Sequence, residues 1–158
     1  MEALLMAPPE TRPAPVTQRG IPAPRSTPAA DAGAFTVDVA QPARHTLLVT
    51  VGGDVDLGTA PELSRVIGHR FRGPVTLLVL DLSEVTFLGT AGLTVLVETQ
   101  QAAARRGAAL RITGTGARPV ERALRAAGML HSLPAADEPA EDIVLRHVTE
   151  QHVGRAPW

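Results

Sequence analysis

Residues 74–106, PVTLLVLDLSEVTFLGTAGLTVLVETQQAAARR, decide how the rest of the chain folds. Val75, Leu77, Leu78, Val79, Leu80 and Leu82 form a nearly continuous apolar run bounded by Pro74 and by the polar stretch at Asp81, Ser83 and Glu84. The run is too short to span a membrane and rich enough for a strand covered on both faces, so it is expected to be the central strand. Downstream, Leu93, Leu96, Val97, Gln100, Ala103 and Ala104 recur at the three-and-four spacing of one helix face, while Glu98, Gln101 and Arg105 fall elsewhere on the circumference. Gly107 is expected to stop that helix. Phe87, Leu88, Gly89, Thr90, Ala91, Gly92 and Leu93 join the two elements, with Thr90 expected as the N-cap whose hydroxyl takes up a free backbone N–H. A strand end feeding a helix N-terminus is where a functional surface is expected.

Working outward on the N-terminal side, residues 35–39 alternate and predict an edge strand, 41–44 a turn, and 45–51 a returning strand. Together they predict an antiparallel hairpin. Gly52, Gly53, Asp54, Val55 and Asp56 close that strand, and a helix is predicted to follow with Thr59 as N-cap, Pro61 in its first turn and Glu62 at the capping-box position. Its inward face is expected to be Leu63, Val66 and Ile67. On the other side, 108–113 predict a strand, 114–116 a turn, and 117–127 a helix ended by Gly128, with Val120, Leu124 and Ala127 inward and Arg118, Arg122 and Arg125 as a basic ridge. A short strand is expected at 129–134, then a helix capped by Asp137 with Ala140, Ile143, Val144 and Val148 on one face. The result is one α/β domain over residues 35–150, with a small mixed sheet, an N-terminal hairpin followed by β-α units, and about four helices. Residues 1–34, which hold seven of the fourteen prolines, are expected to be a disordered leader, either a partner-binding arm or a solvated tail; 151–158 are expected to be a flexible tail.

Composition narrows the function. Net charge is −1, so the basic footprint of a nucleic-acid binder is absent, and three Phe, one Trp and no Tyr are too few for a base-stacking platform. The absence of cysteine removes disulfides, thiol catalysis and zinc-thiolate sites and is compatible with the cytoplasm, where the chain is placed. The N-terminal run at Ala3, Leu4, Leu5 and Met6 is a poor secretory signal, and no membrane insertion is expected. His45, His69, His131, His147 and His152 are scattered without a zinc spacing, and Ser64, Ser83 and Ser132 sit in no context that activates a hydroxyl, so no metal, no cofactor and no catalytic residue are predicted. Asp54 and Asp56 are read as a strand-end turn whose carboxylates meet a protein partner, with a cation as the alternative. Gly114, Thr115 and Gly116 lack the remaining residues of a dinucleotide or P-loop fingerprint.

Two blocks carry a family resemblance. DLSEVTFLGTAGLTVL at 81–96 is similar to the signature of STAS domains, the fold of bacterial anti-sigma factor antagonists, in which an Asp-Leu-Ser strand end and an aromatic precede Asp-Ser-Ser-Gly-Leu at a helix start. GDVD at 53–56 with TAPEL at 59–63 resembles the family's Gly-Glu-Leu-Asp and Thr-Ala-Pro-x-Leu segment. The resemblance implies a non-enzymatic binding protein that sequesters an anti-sigma factor of the serine kinase type in a partner-switching system controlling transcription. It also implies a partner surface formed by Asp54, Asp56, Thr59, Gly89, Thr90, Ala91, Gly92 and Leu93. The family's phosphoacceptor serine aligns with Ala91, which has no hydroxyl, and Gly89 replaces the motif aspartate, leaving Thr90 as the candidate phosphoacceptor. A weak homodimer is left open. The alternative is a STAS scaffold or small-ligand-sensing subunit of a stress-signalling or membrane-transport assembly.

Overall fold

The computed structural model describes residues 33–153. The expected leader, up to residue 32, lies outside them. Four strands, β1 (Thr36–Ala43), β2 (Thr46–Val55), β3 (Leu77–Leu88) and β4 (Ala109–Thr113), lie side by side in the order β1-β2-β3-β4. β1 and β2 are antiparallel, and β2, β3 and β4 run parallel. The expected mixed sheet with an opening hairpin is therefore present. The turn falls at Arg44 and His45, because β1 continues past a bulge through Ala43 and His45 takes up a left-handed conformation with φ 66°.

The helices α1 (Ala60–Arg70), α2 (Thr90–Arg106) and α3 (Arg118–Ala126) cover one face of the sheet, and α4 (Ala140–Val153) covers part of the other. The alternation along β3 explains this division. Leu78, Leu80 and Leu82 point into the main core with Leu63, Ile67, Leu96, Val120 and Leu124, whereas Leu77 and Val79 point the opposite way and meet Ala140, Ile143 and Val144. β3 is thus buried on both sides, as its unbroken apolar run predicts.

β3 is longer than its apolar run. The register with β2 slips twice, between Thr50 and Gly52 and again between Gly53 and Asp54, so β3 carries two extra residues and its buried positions fall at Leu82, Val85 and Leu88. These bulges hide the strand from a period-two reading and leave Ser83, Glu84, Thr86 and Phe87 at the surface.

Helix details also differ from expectation. α2 starts with Gly89 as N-cap and Thr90 as its first residue, and it buries Gly92, Leu93, Val95, Leu96, Thr99 and Ala103. The inward stripe is rotated toward Val95 and Thr99, away from the predicted Val97, Gln100 and Ala104; the Thr99 hydroxyl donates to the Val95 carbonyl at 2.7 Å, which lets it be buried without an orphaned donor. Gly107 ends the helix with φ 66°, its N–H bonding back to the last turn, as the sequence predicts. Ala127 is exposed, and residues 129–134 form turns in place of a strand, leaving only a bridge between Ile112 and Ala135. α4 keeps the expected inward face of Ala140, Ile143 and Val144, with Val148 packed against it; it runs through Val153, so residues 151–153 are helical where a loose tail is expected.

Candidate functional site

The ends of β2 and β3 and the start of α2 meet at one pole of the sheet. The Gly89 N–H donates to the Val55 carbonyl at 2.8 Å, which ties the N-cap of α2 to the end of β2. Gly89 is extended, with φ −87° and ψ 177°, and its carbonyl accepts the first helical bond from the Leu93 N–H at 3.0 Å. No side chain caps the helix, so the N–H groups of its first turn face outward with the positive end of the helix dipole. Thr90 is exposed at the first helical position and does not serve as the cap. Its expected capping role passes to the glycine because the chain is still extended one residue earlier.

The residues after Thr90 turn away from the surface. Ala91 is half-buried, Gly92 is buried, and Leu93 enters the core. A Cβ on Gly92 would lie 2.6 Å from Leu88 Cδ1 and 2.8 Å from Val55 Cγ1, so this position is set by close packing of α2 on β2 and β3. Of the expected surface, Gly92 and Leu93 therefore support it from below, and Thr90 presents it.

Asp54, Asp56 and Thr59 form the neighbouring loop. The Thr59 hydroxyl donates to the Asp54 carbonyl at 2.8 Å and accepts from the Asp56 N–H at 2.9 Å. Asp56 Oδ1 accepts from the N–H groups of Gly58, at 2.9 Å, and Thr59, at 3.0 Å. These backbone donors, Thr59 first, hold the Asp56 carboxyl below its ordinary value. Asp54 Oδ1 accepts from the Thr86 hydroxyl at 2.7 Å, linking the loop to β3. Both carboxylates thus serve the loop itself, and among the described residues no group of three or more acidic or histidine side chains is placed to hold a metal ion. The glycine turn before α3 is packed inward: Thr115 is buried, and Gly114 lies against the backbone of Ser83.

Two residues at this pole carry no role in the sequence reading. Leu57, at the tip of the loop, is 83% exposed, and Phe87, whose ring lies against Gly89, is 51% exposed. Both are large apolar side chains held in water at this end of the sheet. Neither gives a periodic signal: Phe87 lies on the part of β3 whose alternation the bulges break, and Leu57 lies at a loop tip.

Comparison with known proteins fits this geometry. A family model described as STAS domain matches residues 36–141. The anti-sigma-F factor antagonist RsfB of Mycobacterium tuberculosis is 43% identical over 54 residues, which is 34% of this chain and 44% of that relative; the match thus spans less than half of the relative's length. The crystal structure of an anti-sigma factor antagonist from Mycobacterium paratuberculosis superposes with a TM-score of 0.59 at 26% identity, covering 73% of this chain and 96% of that one. The unphosphorylated form of SpoIIAA, a Bacillus cell fate determinant, shares the fold with a TM-score of 0.61 at 15% identity over 73% of this chain and 97% of its own. Fold, motif positions and family match agree, and this chain belongs to the STAS domain family.

Proposed function

We propose that this chain is an anti-sigma factor antagonist whose pole, built from the Asp54 to Thr59 loop, Phe87 and the start of α2, docks onto a kinase-type anti-sigma factor in the cytoplasm and so frees a transcription factor. The observation that carries the reading is the exposed Thr90 on an uncapped helix end, flanked by the exposed Leu57 and Phe87. The similarity to RsfB, named as an anti-sigma-F factor antagonist, points to the same class of partner. Function then comes from occupancy of a surface and needs no bond-breaking in a substrate. Leu57 and Phe87 supply apolar anchors, and the small residues Gly89 and Ala91 let the partner's backbone approach the helix end.

Regulation falls to Thr90, because Ala91 has no hydroxyl to modify. Transfer of a phosphoryl group from the partner's ATP to Thr90 Oγ1 adds about two negative charges at neutral pH. The helix end stabilises them by about 0.3 to 1 kcal/mol, but the interface must then desolvate them. A penalty of ~3 kcal/mol there lowers affinity on the order of a hundredfold.

Calorimetric titration of the full chain with the kinase-type anti-sigma factors of its source genome tests this. One of them binds, and Thr90→Glu and Leu57→Asp each weaken that binding by at least about tenfold, about 1.4 kcal/mol. Incubation with the bound factor and ATP adds one phosphate, mapped to Thr90 by mass spectrometry. Binding to none of them overturns the antagonist reading; binding without phosphate transfer overturns the regulation alone.

A further inference from the structure

The pole carries two features of complementary chemistry. The first is a groove of about 390 Å³ between the end of β3 and α3. It exists because β4 stops at Thr113, opposite Asp81, so the last part of β3 has no strand on that flank and the short helix α3 lies there in its place. Phe87, Leu88, Pro119 and Ala123 give it an apolar lining, and the charged residues that line it are Arg118 and Arg122. Both arginines are exposed, stand one helical turn apart and have no ion-pair partner among the described residues, whereas Arg125 is held by Glu121.

The second feature is the loop after β2. Its tip, Leu57, stands in water, Asp54 and Asp56 precede it, and no basic residue lies between Gly52 and Thr59. Asp56 holds the loop through Oδ1, while its Oδ2 accepts no hydrogen bond among the described residues. The bonds of Thr59 and Asp56 already fix the loop, so presenting Leu57 costs little further ordering. Loop and groove stand on opposite flanks of β3, because Val55 pairs with Leu88 from the β2 side and α3 packs on the other. A two-fold axis normal to the sheet at the end of β3 exchanges those flanks. The loop of each copy then faces the groove of the other, and both contacts form at once. In each, an apolar tip beside carboxylates meets an apolar slot edged by guanidinium groups.

We propose that this chain pairs with a second copy of itself through the pole, with Leu57 of each copy against Phe87, Pro119 and Ala123 of the other and with Asp56 facing Arg118 and Arg122. The contact covers few side chains, well short of the ~1,600 Å² of a standard interface, so the pairing is weak, half complete at a chain concentration on the order of 100 µM. It does not rest on the function proposed above. Where both hold they compete, because Leu57 and Phe87 cannot be covered by a second copy and by an anti-sigma factor together.

Sedimentation velocity of the full chain at concentrations spanning that value tests the pairing. A monomer is expected at the low end and a dimer, with nothing larger, at the high end. Leu57→Arg and the double variant Arg118→Glu/Arg122→Glu each stay monomeric, since each brings like charges together; all three side chains are exposed and unpaired, so the fold is kept. Mixed in equal amounts, the two variants form a dimer again, because the new arginine of one meets the new glutamates of the other while the second contact is the original one. Isotope-filtered NMR of the original chain shows the Leu57 methyls of a labelled copy against the Phe87 ring of an unlabelled one. A chain that stays monomeric, association beyond a dimer, single variants that still pair, a mixture that does not, or filtered contacts on another face each overturn the proposal. Saturation with the anti-sigma factor removes the filtered contacts; their persistence overturns the competition alone. Pairing in a chain that binds no anti-sigma factor leaves this inference standing and removes the proposed function.

Discussion

At the residue scale, the loop beside α2 depends on Thr59 and Asp56. One hydroxyl serves two backbone groups, donating to the Asp54 carbonyl and accepting from the Asp56 N–H. Thr59→Val keeps the shape and removes both bonds, and it is expected to lower stability by about 1 to 2 kcal/mol, read from the urea midpoint. Asp56 adds a pH dependence of known sign. Its carboxyl is held below the ordinary aspartate value by the N–H groups of Thr59 and Gly58, so the loop's contribution is complete above about pH 4 and fades as the pH falls through the lower folded value. A carbon-detected carboxyl titration is expected to place the Asp56 midpoint below that of aspartate in the unfolded chain, and Asp56→Asn should flatten the fall in stability on the acid side. A midpoint at or above the unfolded value contradicts the hydrogen bonding described here.

At the element scale, the start of α2 has the backbone of a well-formed cap without the side chain. Gly89 already has the extended conformation that N-cap residues adopt, yet has no side chain to accept from the free N–H groups of the first turn. Gly89→Asp restores the carboxylate that the family motif has at this place. The new Cβ would stand 3.2 Å from Phe87 Cε1, and the ring is half exposed and can move aside. Capping and the helix dipole together are expected to raise stability by about 0.5 kcal/mol, seen as a higher urea midpoint. A lower midpoint would show that Phe87 is fixed against Gly89. Such rigidity would place the ring permanently over the helix end.

At the scale of the whole molecule, the sheet has two cores of unequal size, and the smaller one depends on α4. Ile143 is 2% exposed against Leu77 and Val79, whereas Leu145, two residues on and so about 200° round the helix, is 64% exposed. Ile143→Ala is expected to cost about 2 to 4 kcal/mol and Leu145→Ala less than about 0.5 kcal/mol, by thermal or urea unfolding. Similar costs for the two would mean that α4 is not seated as described. The apolar run of β3, the stop at Gly107, the opening hairpin and the inward stripe of α4 could all be read from the chain, because each is a local pattern: a run, a left-handed glycine, an alternation, a helical period. The two blocks at 53–63 and 81–96 likewise announced the family and the position of the pole. The far end of β3 could not be read, because two bulges break the alternation that identifies a strand. Nor could the rotation of α2 toward Val95 and Thr99, since a helix with apolar residues on much of its circumference is turned by whatever packs against it, here α1, α3, β3 and β4, with Val55 and Leu88 at its first turn. Which of Thr90, Gly92 and Leu93 faces water was decided in the same way. Sequence alone named the segment, but only the approach of α2 to Val55 and Leu88, close enough to exclude a single methyl group at Gly92, determined which side chain it presents.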